Sequence, residues 1–125
     1  MNACIIGEIN KKVKPSDTLW IVGDLGFGSR DDDEYFSAMA KLRGQIRCTT
    51  VNLVKGNHDR TCVARLFNNC RNGIPNVVFD ARLDGHRFTL NHWVQFSWPG
   101  SGNPNFPAYH GYGHHHGTME RFWIN

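Results

Sequence analysis

Two short apolar runs, each followed by a glycine and then by polar residues, constrain the fold of this chain more than any other feature. The first, Leu-Trp-Ile-Val at residues 19–22, ends at Gly23, and the second, at residues 50–54, ends close to Gly56. Runs of four or five β-favouring residues bounded by glycine are typical of buried strands. The sequence therefore predicts two buried strands whose carboxyl ends carry polar loops.

Helices are predicted around these strands. Apolar residues in the segment 2–13 recur at nearly helical spacing, which predicts a first helix. A second helix is expected over residues 31–42, with Ser29 as its N-cap and Gly44 as its end, because acidic residues favour a helix N-terminus. A short third helix is expected over residues 60–70. The second helix is expected to bury Phe36, Met39 and Leu42.

The second half of the chain predicts a hairpin and a long loop. Residues 77–79 and 88–90 are expected to be strands joined through the turn Asp84-Gly85. Residues 97–113 are rich in Gly, Pro and Asn, which predicts a loop, and residues 122–124 predict the start of a final strand. This order of elements predicts an α/β fold, layered around a mixed sheet. A length of 125 residues fits a single domain over residues 1–125.

Composition excludes several classes of protein. Apolar residues make up 40% and charged residues 20%, as in globular proteins, and a net charge of +3 is too small to indicate nucleic-acid binding. No apolar run is long enough for a membrane span, and the first residues do not predict a secretory signal. The four cysteines form no Cys-x-x-Cys pair, so they are interpreted as reduced thiols of a cytoplasmic protein.

Polar residues that can bind metals follow the predicted strands. Asp24 follows the first strand, Asn57, His58 and Asp59 follow the second, and His92 ends the hairpin, ahead of three consecutive histidines at 114–116. Ligands of α/β sheets gather at the carboxyl ends of strands. Carboxylate, amide and imidazole groups together suit Mn, Fe, Zn or Ni, and the Asp24 carboxylate could bridge two such ions. Each of these motifs alone has an ordinary structural explanation. Asp24 could belong to a turn, residues 57–59 to a capped loop, His92 to the core, and the three histidines at 114–116 could be fortuitous.

Taken in order, the motifs resemble those of the calcineurin-like metallophosphoesterases. The segments between the motifs are similar to those of small bacterial and bacteriophage members of that family. The resemblance extends over about residues 19–117, and its most specific piece is the Gly-Asn-His-Asp motif. The matching motifs are Gly23-Asp24, Gly56-Asn57-His58-Asp59, Leu90-Asn91-His92-Trp93 and Gly113-His114-His115-His116.

The resemblance implies a role for each matching residue. Asp24 would bridge two divalent metals, and His116 would bind the first of them. His58 would act as acid or electrostatic stabiliser for the leaving oxygen, and Asp59 would orient His58. Apart from the resemblance, Arg60 is a candidate for contact with a phosphate oxygen of the substrate, and the alternative is an ordinary exposed arginine beside a loop. The remaining ligands of the second metal would be Asn57, His92 and His114. The implied function is hydrolysis of a phosphomonoester or phosphodiester by a metal-activated hydroxide, with nucleic acid expected only as a substrate and no role for a membrane.

One departure from the family pattern creates an alternative. The family begins with a strand that ends in Asp-x-His and supplies ligands to the first metal, and no Asp-x-His lies ahead of Gly23. The fold is therefore expected to be incomplete at both ends, with its first strand absent, and the alternative is a degenerate or truncated fragment that binds one metal with little or no catalysis. A strand supplied by a second chain is a third hypothesis. Four aromatic residues are candidates for either a substrate pocket or simple packing: Trp93, Phe96, Trp98 and Phe106.

Overall fold

Two sheets and two α-helices make up the fold of the computed structural model, which describes residues 3–83 and 85–114. The elements are α1 (Ala3–Lys12), β1 (Thr18–Val22), α2 (Asp32–Gln45), β2 (Thr50–Val54), a 3₁₀ helix (Thr61–Leu66), β3 (Val77–Leu83), β4 (His86–Asn91) and β5 (Ala108–Gly111). The predicted α/β class with mixed strand directions is confirmed. No helix within the described ranges is long and apolar enough to cross a bilayer.

The first sheet consists of β1 and β2, which pair in parallel. The far edge of β2 is covered by asparagine side chains rather than by a strand. Asn68 Oδ1 accepts from the N–H of Val51, and the Asn69 side chain both accepts from and donates to the backbone of Leu53. These carboxamides satisfy polar groups that would otherwise be left unpaired at a buried edge.

The second sheet has the order β3-β4-β5, with β3 antiparallel and β5 parallel to β4. The β3–β4 pair contains an irregularity between Val78 and Ala81, where Asp80 has a left-handed φ of 61°. The Asp80 carboxylate pairs there with Arg82 and Arg87. The bulge therefore lies on the outside of the molecule, where solvent and ion pairs satisfy it.

Alternation along β1 and β2 divides the interior into two layers. Ile21 and Leu53 face the larger core, which includes Tyr35 and Met39 of α2. The residues that follow each of them, Val22 and Val54, contact the smaller core against β3 and β4. Successive side chains of a strand point to opposite faces, so both faces of this short sheet are covered. The carboxyl ends of β1 and β2 are thereby held next to the second sheet.

Most predicted elements form, with corrections at their ends. Asp31, rather than Ser29, caps α2 by accepting from the N–H groups of Asp33 and Glu34. The helix continues through Gly44, because the next residue outside it, Ile46, is buried in the larger core.

The remaining corrections concern the other predicted segments. The predicted helix 60–70 is a 3₁₀ helix of six residues, and the predicted loop 97–113 contains β5. Strand β1 is half-buried rather than fully buried. The predicted hairpin forms from β3 and β4, whereas Asp84 of its turn and the predicted strand 122–124 lie outside the described residues.

Candidate metal centre

Four polar side chains converge where four strands end. Asp24 lies two residues beyond β1, Asn57 lies three beyond β2, His92 directly follows β4, and His114 lies three beyond β5. Because β1 runs parallel to β2 and β4 runs parallel to β5, the loops that follow the two strands of each pair lie at the same edge of their sheet. The core contact between Val54 and the second sheet brings the two edges together.

The donor atoms of these side chains lie within contact distance. His92 Nε2 lies 3.0 Å from Asn57 Oδ1, 3.1 Å from His114 Nδ1 and 3.3 Å from Asp24 Oδ2. The distance from His114 Nδ1 to Asn57 Oδ1 is 3.1 Å. The ligand atoms of Asp24, His92 and His114 all lie within 4.8 Å of one another. We call these four residues the donor cluster.

The second nitrogen of His92 determines what the donor cluster can bind. His92 is 2% exposed, and its Nδ1 lies 3.0 Å from the carbonyl oxygen of Val22, which can only accept a hydrogen bond. Nδ1 therefore carries the proton, and in the neutral ring Nε2 directs a lone pair toward the oxygens of Asn57 and Asp24. A proton on Nε2 could be shared with one neighbour only, whereas a cation can contact every member of the cluster. An imidazole that donates its other N–H to a backbone carbonyl is the usual arrangement of a metal-ligating histidine.

Glycines allow the loops to approach this closely. A Cβ on Gly23 would overlap the His92 ring, and a Cβ on Gly56 would overlap the carboxylate and N–H of Asp24. Gly23 also has a φ of +82°, which side chains rarely adopt. The N–H of Gly113 donates to the carbonyl oxygen of His92 over 3.1 Å. Each loop that carries a donor is therefore packed directly against its neighbour.

Asp59 holds the two loops of the first sheet together. Its carboxylate accepts from the N–H groups of Asp24 (2.8 Å), Leu25 (2.9 Å) and Gly56 (2.8 Å), and the residue is 4% exposed. Asp24 itself has a left-handed φ of 53°, a conformation that such a network can maintain. A hydrogen bond from the His58 ring to the Asp59 carboxylate is not found within the described residues. The three backbone bonds to its carboxylate show that Asp59 positions Asp24, while its orienting role toward His58 stays a prediction.

His58 lies beside the donor cluster with an exposed ring. Its N–H donates to Asp24 Oδ1 over 3.0 Å, and its ring packs 4.5 Å from the ring of Phe27. The Tyr35 hydroxyl lies within hydrogen-bonding distance of the carbonyl oxygens of His58 and Gly26. Burial, reinforced by the charge of Asp59, raises the pKa of Tyr35 to about 12. The phenol therefore stays protonated and can donate to these carbonyls at neutral pH.

The Arg60 guanidinium is occupied by contacts within the protein. It pairs with Asp32 at 2.6 Å and donates to the carbonyl oxygens of Ser29 (3.2 Å) and Arg30 (2.6 Å). It also lies over the Tyr35 ring, 5.8 Å from the centroid. These contacts hold the segment before α2, and the phosphate contact considered for Arg60 stays a prediction.

The other predicted residues divide between the site and the surface. Trp93 stacks on His114 with ring centroids 3.8 Å apart, so it packs against one member of the donor cluster. Trp98 donates to the carbonyl oxygen of Ala108, and Phe96 is 98% exposed. The predicted ligand His116 lies outside the described residues.

Sequence analysis missed two contributors to this site. The sequence gives no signal for the contact made by the Val22 carbonyl, because every residue type has a backbone carbonyl. Phe27 has a local signal, since a large apolar residue stands between Gly26 and Gly28, three residues after the strand-end Asp24. A bulky side chain in such a loop is a candidate for contact with a ligand.

Comparisons of this chain with protein-family models, with curated proteins and with solved structures find no match. The donor cluster is therefore interpreted from its own residues and geometry.

Proposed function

We propose that this protein is a metal-dependent phosphoesterase of the calcineurin-like type. The observation that carries the proposal is the convergence of Asp24, Asn57, His92 and His114, with the proton of His92 fixed on the nitrogen that faces Val22. A mixed set of oxygen and nitrogen donors without cysteine suits Mn, Fe, Zn or Ni. A bound divalent cation would act as a Lewis acid toward a phosphate group and make water a better nucleophile near neutral pH.

The residues around the donor cluster suit hydrolysis of a phosphate ester. The backbone bond from His58 to Asp24 keeps the exposed imidazole next to the donor atoms. An imidazole at this place can donate a proton to the leaving oxygen of the ester or stabilise its charge. The layered arrangement of the two sheets, with every donor on a loop after a strand, is part of the same proposal, which assigns the chain a metallophosphoesterase-like fold.

The number of metal ions distinguishes this function from its alternative. Within the described residues, Asp24, His92 and His114 form a group of ionisable ligands close enough to share one ion. In the two-metal form of the proposal, Asp24 would be a ligand of both ions and His116 would be a ligand of the ion that His92 and His114 do not bind. In the alternative, the chain binds one cation and hydrolyses little or nothing.

The four cysteines support a reducing environment for this activity. Cys4, Cys48, Cys62 and Cys70 are all free thiols. Free thiols persist in reducing compartments. We therefore include a cytoplasmic location in the proposal.

The first experiment measures the Mn content and the activity of the reconstituted 125-residue chain. Elemental analysis gives the number of ions per chain, and release of nitrophenol from mono- and bis-(p-nitrophenyl) phosphate gives turnover. We expect metal-dependent turnover that EDTA abolishes. Bound Mn without turnover above background would support the alternative, and the absence of bound Mn would contradict both.

A His58→Ala variant tests the catalytic assignment. We expect turnover to fall by about 10²- to 10⁴-fold while the Mn content stays unchanged, because His58 is not part of the donor cluster. His86→Ala is the matched control, since His86 is an exposed histidine at the start of β4. Unchanged turnover in His58→Ala would exclude the proposed role.

A further inference from the structure

A cleft of about 400 Å³ opens directly beside His58. Phe27, Arg30, Tyr35, His58 and Arg60 contribute to its walls. Its size lies within the range of sites that take small organic ligands. The cleft therefore adjoins the donor cluster through His58, whose N–H is bonded to Asp24.

Phe27 presents an exposed aromatic face in this cleft. Its exposed fraction is 72%, although its neighbour Leu25 is fully buried. A phenylalanine ring left in water forgoes the favourable burial of its apolar surface, so an exposed ring next to a candidate catalytic histidine is a candidate for ligand contact.

The loop that carries Phe27 is fixed in place on α2. A Cβ on Gly28 would lie 2.9 Å from the Tyr35 ring, and one on Gly26 would lie 3.0 Å from the Met39 side chain. The Tyr35 hydroxyl is 3.2 Å from the carbonyl oxygen of Gly26. Because this loop is packed against α2, the Phe27 ring loses little conformational freedom when a ligand stacks on it.

Arg30 provides positive charge in the same cleft. Its side chain is exposed and makes no ion pair or hydrogen bond with any described residue, whereas the charge of Arg60 is paired with Asp32. An aromatic face and an unpaired cation together suit a ligand that has a planar ring and a phosphate.

We propose that this cleft is the subsite for the organic group of the substrate, and that it selects a planar aromatic group stacked on Phe27. A nucleobase and a simple aryl group share this chemistry. The proposal rests on the proposed phosphoesterase function and names its substrate class as nucleoside or aryl phosphate esters in preference to alkyl phosphate esters.

Binding of phosphonates tests the subsite independently of turnover, because a C–P bond resists hydrolysis by the proposed reaction. The probes are the 5′-phosphonate analogue of adenosine monophosphate, benzylphosphonate and propylphosphonate, titrated calorimetrically into the Mn-reconstituted chain. We expect both aromatic probes to bind more tightly than propylphosphonate. The stronger of the two identifies whether the ring is a nucleobase or a simple aryl group.

Variants of Phe27 test the stacking itself. We expect Phe27→Ala to lower the ratio of aromatic to propyl affinity about tenfold, and Phe27→Trp to restore it, since stacking needs only an aromatic face. Phe96→Ala is the matched control, because Phe96 is a more exposed phenylalanine outside this cleft. Expressing the result as a ratio separates stacking from any effect on phosphate binding.

The outcomes distinguish the subsite from the catalytic proposal. Equal binding of all three probes, no binding at millimolar concentration, or an unchanged ratio in Phe27→Ala would overturn the subsite even if the protein hydrolyses esters. A Phe27-dependent ratio in a protein without turnover would support the subsite and reject the catalysis.

Discussion

At the scale of single residues, Asp59 connects the two loops that follow β1 and β2. It is buried, carries a negative charge and is surrounded by backbone N–H groups from two loops. Hydrogen bonds to an ionised acceptor are stronger than those between neutral groups. The position of Asp24, and with it one oxygen of the donor cluster, therefore depends on a carboxylate outside the cluster.

Replacing Asp59 by Asn tests this role. An amide has one accepting oxygen, and its NH₂ group would face backbone donors. We expect the free energy of unfolding, measured with urea, to fall by about 2–3 kcal/mol, together with weaker Mn binding. Reduced turnover with unchanged stability and unchanged Mn affinity would instead support the orienting role that the resemblance implies.

At Gly23 the backbone lies directly against the His92 ring of the donor cluster. A methyl group there would overlap the His92 ring, and its φ of +82° is unfavourable for alanine by about 1–3 kcal/mol. We expect Gly23→Ala to lower the free energy of unfolding by at least that amount and to weaken Mn binding more than tenfold, as measured by calorimetry.

Gly7→Ala is the matched control for that substitution. Gly7 lies within α1, and a Cβ there would meet nothing within 4 Å. Alanine at such a position is expected to stabilise the protein by about 0.5–1 kcal/mol and to leave Mn affinity unchanged. Equal effects at the two glycines would contradict the packing described for Gly23.

At the scale of elements, the N-terminus of α2 is held by a side chain that sequence analysis did not select. Asp31 accepts from two N–H groups of the first turn, whereas the Ser29 hydroxyl accepts from the N–H of Asp31 only. We expect Asp31→Ala to cost about 1 kcal/mol and Ser29→Ala less than half of that, measured by thermal or urea unfolding. A larger loss of stability in Ser29→Ala than in Asp31→Ala would identify Ser29 as the cap.

Strands and helices were predictable where their signals are local. The apolar runs of β1 and β2, the spacing of α1 and the turn signal between β3 and β4 each lie within about ten residues of sequence. Strand β5 was missed because its four residues pair with β4 across a long connection, in a segment whose composition is typical of loops. Pairing of that kind depends on tertiary contacts rather than on local preference.

The candidate site shows the same division between local and non-local signals. Polar residues after strands predicted a site at one edge of the sheet. The resemblance implied Asp24, Asn57, His92 and His114 as its ligands. The bonds from Asp24 and Leu25 to Asp59, and from Arg60 to Ser29, were not predicted, since these partners lie more than thirty residues apart in sequence. Only the folded chain determines whether a charged side chain faces a ligand or a backbone amide.

At the scale of the whole molecule, a bound cation would link loops from both sheets. A ligand that binds only the folded state stabilises it by about 2.7 kcal/mol at a concentration 100 times its dissociation constant. We expect Mn at such concentrations to raise the free energy of unfolding by about that amount, and EDTA to remove the increment.

Two asparagine variants make this prediction specific. Asn57→Ala removes an exposed side chain that makes its hydrogen bonds within the donor cluster. The rise in the free energy of unfolding caused by Mn should therefore be measurably smaller in this variant. Asn76→Ala, an exposed asparagine outside the cluster, should keep the full increment. An equal increment in both variants would place the bound Mn elsewhere on the protein.

The dispersed origin of the donor cluster has a consequence for folding kinetics. Asn57 and His92 are 35 positions apart, His92 and His114 are 22 apart, and the carbonyl that orients His92 is 70 positions before it. Contacts of such long range form only after both sheets have assembled, because loop closure is costly before other contacts offset it. Interactions that form after the transition state slow unfolding and leave the folding rate almost unchanged. A bound metal would therefore lengthen the lifetime of the native state rather than help the chain to reach it.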